Sequence, residues 1–108
     1  MLHPKWLQRH VRHFEEALRG AERGDHRWAC YNAYVSVRAL LLGLLGRDPY
    51  KPDPGLYALA VLLKKVAYPT EEVEKCAKCL EDWEDKPAAR CLKCAELIAE
   101  ALLARAQT

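Results

Sequence analysis

The sequence predicts an all-α protein: one antiparallel, up-and-down bundle of four to five helices forming a single domain over residues 1–108. Three observations carry that expectation. Apolar residues recur every three or four positions along nearly the whole chain, and no stretch alternates as a strand would. Proline and glycine gather at a few points and divide the periodic stretches into segments with short connections. With 51% hydrophobic and 30% charged residues, the 108-residue chain has globular composition and room for one core.

The first helix opens with Pro4 in its first turn, where a missing N–H costs nothing. Trp6, Leu7, Val11, Phe14, Leu18 and Ala21 form its apolar stripe, with Arg9, Arg12, Glu15, Glu16 and Arg19 mostly opposite. Gly20 and Gly24 bracket its end and a tight turn. Asp25 then caps a second helix running to about Leu45. That helix is apolar nearly all round, from Trp28 through Tyr31, Tyr34 and Val37 to Leu45. At this chain length one small bundle is too thin to surround it, so a homodimer through the first two helices is expected. Its aromatic residues read as core or dimer contacts before they read as a stacking platform for bases.

The stretch Asp48-Pro49-Tyr50-Lys51-Pro52-Asp53-Pro54-Gly55 is too rich in proline to be helical. A third helix follows, with Leu56, Leu59, Ala60, Leu63 and Val66 on its inner face. Thr70 caps a fourth, whose first turn carries Glu71 and Glu72, the sign that suits a helix N-terminus. Asp85-Lys86-Pro87 makes a turn, and a fifth helix extends from about Pro87 to Arg105.

The net charge of +2 gives no strong polyanion signal. Residues 1–50 carry eight Lys/Arg against five Asp/Glu and all four His, whereas residues 51–108 carry nine against ten. A nucleotide or nucleic-acid surface therefore belongs toward the N-terminal half, with a merely solvated helix face as the plainer reading. No Gly-rich phosphate loop, carboxylate pair or zinc-protease motif is present, and no cofactor is expected. The start of the chain has no targeting pattern, and Leu40 to Leu45 is far shorter than the roughly 20 apolar residues of a membrane span. A cytoplasmic protein without membrane contact is expected. Asn32 is the sole Asn and Gln8 and Gln107 the sole Gln, a scarcity of thermolabile side chains typical of hyperthermophiles.

Cys76-x-x-Cys79 and Cys91-x-x-Cys94 are both centred on Asp85, the expected turn. In an antiparallel hairpin Cys79 would face Cys91 and Cys76 would face Cys94, at two levels about 4.5 Å apart. Two interhelical disulfides are the favoured reading, and hyperthermophiles do keep such bonds inside the cell. One zinc ion held by Cys76, Cys79, Cys91 and Cys94 is the second, although its spacing is shorter than that of zinc ribbons. Four reduced core thiols are the third. Cys30 reads as a lone core residue. No βαβ pattern surrounds either pair, which excludes a thioredoxin-like site.

The run Gly24-Asp25-His26-Arg27-Trp28-Ala29-Cys30-Tyr31-Asn32-Ala33, continuing through Arg38-Ala39-Leu40-Leu41-Leu42, resembles the second helix of HEPN proteins. Glu15-Glu16-Ala17-Leu18 before it and Leu56 to Leu63 after it fall where that family has its first and third helices. Cys91 to Leu103 falls at the closing helix. The resemblance implies a helical bundle that binds a nucleotide or RNA, or a nucleotidyltransferase-type partner, in toxin–antitoxin-like settings. The ribonuclease branch of the family has Arg followed four to six residues later by His near the start of its last helix. Here Arg90 is suitably placed, but no His follows it. The expected function is thus non-catalytic, with no catalytic residue assigned and Arg9, Arg12, His13, Arg23, His26 and Arg27 as the candidate binding surface. A metal-independent ribonuclease, using Arg9 with His13 or Arg19 with His26, is one alternative. A purely structural interaction module is the other.

Overall fold

The computed structural model describes residues 2–52, 55 and 57–106, with side chains through Ala104. Its elements there are five α-helices and one short 3-10 turn: α1 (Pro4–Glu22), α2 (His26–Leu44), α3 (Leu59–Val66), α4 (Glu71–Glu81), the 3-10 turn (Trp83–Asp85) and α5 (Ala88–Ala106). The expected inner-face residue Leu56, and Asp53 and Pro54 of the proline-rich loop, lie outside the described residues.

The helix starts follow local chemistry. Pro4 occupies the first turn of α1, and the His3 ring accepts the Lys5 N–H at 3.0 Å. Asp25 accepts the Trp28 N–H at 3.0 Å, and Thr70 accepts the Val73 N–H at 3.2 Å. Between α1 and α2, Gly24 takes φ +73°, the left-handed conformation that favours glycine. α3 begins without a side-chain cap of its own. A residue from α4 satisfies it instead, the Glu81 carboxylate accepting the Leu59 N–H at 3.0 Å.

α2 is the central rod, packed against α1, α5, α3 and the 3-10 turn. Eleven of its nineteen residues are buried in a single subunit, more than one small bundle was expected to cover. The uncovered strip carries Trp28 and Tyr31, which are 41% and 43% exposed, with half-buried Val35 and Arg38 beyond them. Leu40, Leu41, Leu59, Leu62, Leu63, Leu80, Ile98 and Leu102 are the large side chains of the core.

α1 meets α2 along a line rotated from the expected stripe. Trp6, His10, Ala17 and Gly20 are buried, whereas Leu7, Val11 and Leu18 stay 39%, 46% and 43% exposed. The reason is the closeness of the two backbones. A Cβ on Gly20 would stand 2.9 Å from the Ala29 nitrogen, and one on Gly43 would stand 2.8 Å from the Trp6 Cβ. Small residues must therefore stand where the backbones come closest, Gly20 against Ala29 and Gly43 beneath Trp6.

The cysteine expectations need correction. Cys91 is bonded to Cys30, across a Cα–Cα distance of 5.2 Å and 61 positions of sequence, and not to Cys79. That bond spends the Cys91 sulfur, so neither the Cys79–Cys91 rung nor the four-cysteine zinc site stands, and Cys30 is no lone core residue. The physical cause is α2: it packs across the start of α5 and presents Cys30 to a fully buried Cys91. Cys76, Cys79 and Cys94 are free thiols, so the expected Cys76–Cys94 rung is not formed either.

Candidate functional site

The spacing of Lys5, Gln8, Arg9 and Arg12 places all four on one side of α1, away from its buried seam. They line an open depression of about 420 Å³. Arg9 also reaches a second cleft of about 260 Å³ between α1, α2 and the following loop, lined by Trp6, Arg9, His13, Val35, Arg38, Ala39, Leu42 and Lys51. One wall of this cleft is apolar and its rim is cationic.

The loop is tied to α1 by two side chains. The Trp6 indole N–H donates to the Arg47 carbonyl at 2.8 Å, and the Arg9 guanidinium donates to the Pro49 carbonyl at 2.8 Å. The same guanidinium lies 4.9 Å from the centre of the Trp6 ring. These contacts bring Lys51 to the cleft. From α2, Arg38 donates to the Tyr57 carbonyl at 3.3 Å, fixing its charge at the cleft's edge.

His13 is held by the single Asn of the chain. The Asn32 amide nitrogen donates to the Trp28 carbonyl at 2.9 Å, which leaves its Oδ1 to accept. His13 Nδ1 lies 2.9 Å from that oxygen and therefore carries the proton. The ring's Nε2 is then the basic nitrogen, on a side chain that lines the cleft. His10, one turn away, has a different task. It is 6% exposed and its Nδ1–H donates to the Ser36 carbonyl at 2.9 Å, while the Ser36 hydroxyl donates to the His10 carbonyl at 2.9 Å. Burial lowers its pKa, against the raising effect of the Ser36 bond. At the far side of His13, the Glu16 carboxylate accepts from Arg19 at 2.6 Å and from the Trp28 indole at 3.2 Å. Those two bonds hold it below the usual carboxylate range.

The structure therefore divides the six expected binding residues. Arg9, Arg12 and His13 come together at the basic clefts. Arg23, His26 and Arg27 lie at the other end of the α1–α2 hairpin. There the His26 Nδ1 accepts the Ala88 N–H at 2.9 Å, capping α5, and Arg27 sits 5.8 Å over the Trp83 ring. That end borders an acidic depression lined by Glu81, Asp82, Glu84, Asp85 and Lys86. Sequence reasoning missed Lys5, Arg38 and Lys51. The helical spacing of Lys5 with Arg9 and Arg12 was available as a signal; nothing local signalled Lys51.

Cations beside an apolar wall can hold a phosphate while a planar or aliphatic group packs on the wall. Among the described residues no helix is long and apolar enough to cross a membrane. No family model and no curated protein matches the chain. Its fold does match a crystal structure of an archaeal HEPN homologue, with a TM-score of 0.73 at 19% sequence identity over 93% of each chain. The helices, their order and this likeness together show that the chain has the HEPN-like fold.

Proposed function

We propose that this protein is a non-catalytic HEPN-like module that binds a nucleotide in the cleft between α1 and α2. The observation that carries the reading is the composition of that cleft: Arg9, Arg38 and Lys51 beside the apolar wall of Val35, Ala39 and Leu42. Phosphate would sit toward Arg9 and extend along Lys5 and Arg12, with the base against the wall. The HEPN-like fold extends the reading to a nucleotidyltransferase-type partner as the source of that nucleotide, in a toxin–antitoxin-like pairing.

The test is thermal unfolding with millimolar ATP, GTP, CTP or UTP at low salt. A ligand at 100 times its Kd adds about 2.7 kcal/mol, enough to raise the melting temperature by several degrees. Arg9→Glu and Lys51→Glu should each remove that rise without unfolding the protein. No rise with any of the four nucleotides would favour a module that only contacts other proteins.

A second reading, a metal-independent ribonuclease, is favoured by one observation: Asn32 orients His13, and His13 and Arg9 line the same cleft. RNA cleavage in the presence of a chelator, abolished by His13→Ala, would establish it over the non-catalytic reading.

A further inference from the structure

The nucleotide reading leaves three thiols unused, and they are gathered at one place. Cys76 and Cys79 are a turn apart on α4, and Cys94 is on α5, which packs antiparallel to it. Cys79 and Cys94 are 8% and 7% exposed, Cys76 is half-buried, and all three pack on the main core. The Cys94 thiol is close enough to Cys76 and Cys79 for both to raise its pKa, Cys76 the more strongly. Symmetry of the sequence about Asp85 also sets Cys76 opposite Cys94 in the α4–α5 hairpin. Cys79 would face Cys91, but Cys91 is already bonded to Cys30. Among the described residues no group of three or more side chains is arranged to hold a metal ion, so the trio is no ligand set.

We propose that Cys76 and Cys94 form a second, oxidant-gated crosslink between α4 and α5, made by reaction with a low-molecular-weight disulfide, RSSR. Solvent reaches Cys76, so its sulfur attacks first. A Cys76–S–SR bond forms, the RS–SR bond breaks, and one RSH leaves with the Cys76 proton. The Cys94 sulfur then attacks the Cys76 sulfur and expels the second RSH with its own proton. Two thiols are oxidised to one disulfide and RSSR is reduced to two RSH. Burial, and then its contact with Cys76, push the Cys94 pKa up, which makes the second step the slow one. Cys79 stays a thiol throughout.

Peptide mapping tests this on the wild-type protein, because trypsin places each cysteine on its own fragment: 28–38, 76–78, 79–90, 91–93 and 94–105. After incubation with oxidised glutathione, fragment 76–78 should be joined to 94–105, fragment 28–38 should remain joined to 91–93, and 79–90 should be free. The three titratable thiols should fall to one. The melting temperature should rise by roughly 5–10 °C, as closure of a short loop implies. Cys79→Ala should crosslink as the wild type does, while Cys94→Ala should stop at the glutathione adduct on Cys76. Fragment 79–90 joined to 94–105, a persistent adduct on wild-type Cys76, or three thiols still titrating would overturn the proposal.

Discussion

His10 shows how a single side chain can look like chemistry and act as structure. In sequence it is one of four histidines near arginines. In the fold it is buried against Ser36 with a pKa lowered by burial from its ordinary 6.5. The unfolded chain then binds a proton that the folded one resists. Stability is therefore complete above about pH 6.5 and is lost as pH falls from there toward the folded pKa, at up to about 1.4 kcal/mol per pH unit. Urea unfolding between pH 7.5 and 5 should show that slope, and His10→Gln should flatten it. Gly20 poses a second test at this scale, because helix propensity and packing disagree. Ala in place of a mid-helix Gly gains about 1 kcal/mol by propensity, but its Cβ would press on the Ala29 backbone at 2.9 Å. Backbone cannot step aside as a flexible side chain can, so packing should win. Gly20→Ala is expected to destabilise by about 1–3 kcal/mol in chemical denaturation. The capping roles of Asp25 and Thr70 were legible beforehand because a cap needs only its own next turn. The tie between Asn32 and His13 was not, since it joins residues on different helices.

Among the elements, the number and order of helices were readable from periodicity and from the positions of Pro and Gly. The rotation of α1 was not. Both the Leu7–Val11–Leu18 side and the Trp6–Ala17–Gly20 side have helical spacing, and only the approach of α2 decides between them. The cysteine pairing failed for a related reason. Symmetry about Asp85 describes the α4–α5 hairpin alone, whereas Cys91 is claimed by α2 from 61 positions away. A bond closing so long a loop constrains the unfolded chain, a contribution of about 2–4 kcal/mol. Reducing it should lower the melting temperature by about 10 °C or more, measured calorimetrically with and without phosphine reductant. The loop after α2 shows the same limit on a smaller scale. Proline content marks it as irregular, yet the indole of Trp6 and the guanidinium of Arg9, by holding the Arg47 and Pro49 carbonyls, decide where Lys51 goes.

For the molecule as a whole, the fold class was legible and half of the expected binding surface was placed together. Lys5, Arg9, Arg12, Arg38 and Lys51 gather at one end of α2, whereas near the other Glu81, Asp82, Glu84 and Asp85 share the surface with Arg27 and Lys86. We propose that a second copy covers the exposed strip of Trp28 and Tyr31, which lies outside the lining of the nucleotide cleft. Sedimentation at micromolar concentration should then report twice the 12.3 kDa mass, and Tyr31→Glu should return the protein to one copy. A single-copy mass for the wild type would dismiss the pairing. The bond between Cys30 and Cys91 has one more consequence at this scale. Trypsin cutting the connection between α2 and α3 would sever the peptide but not the protein, whose two pieces would travel through an electrophoresis gel as one band until mercaptoethanol parts them.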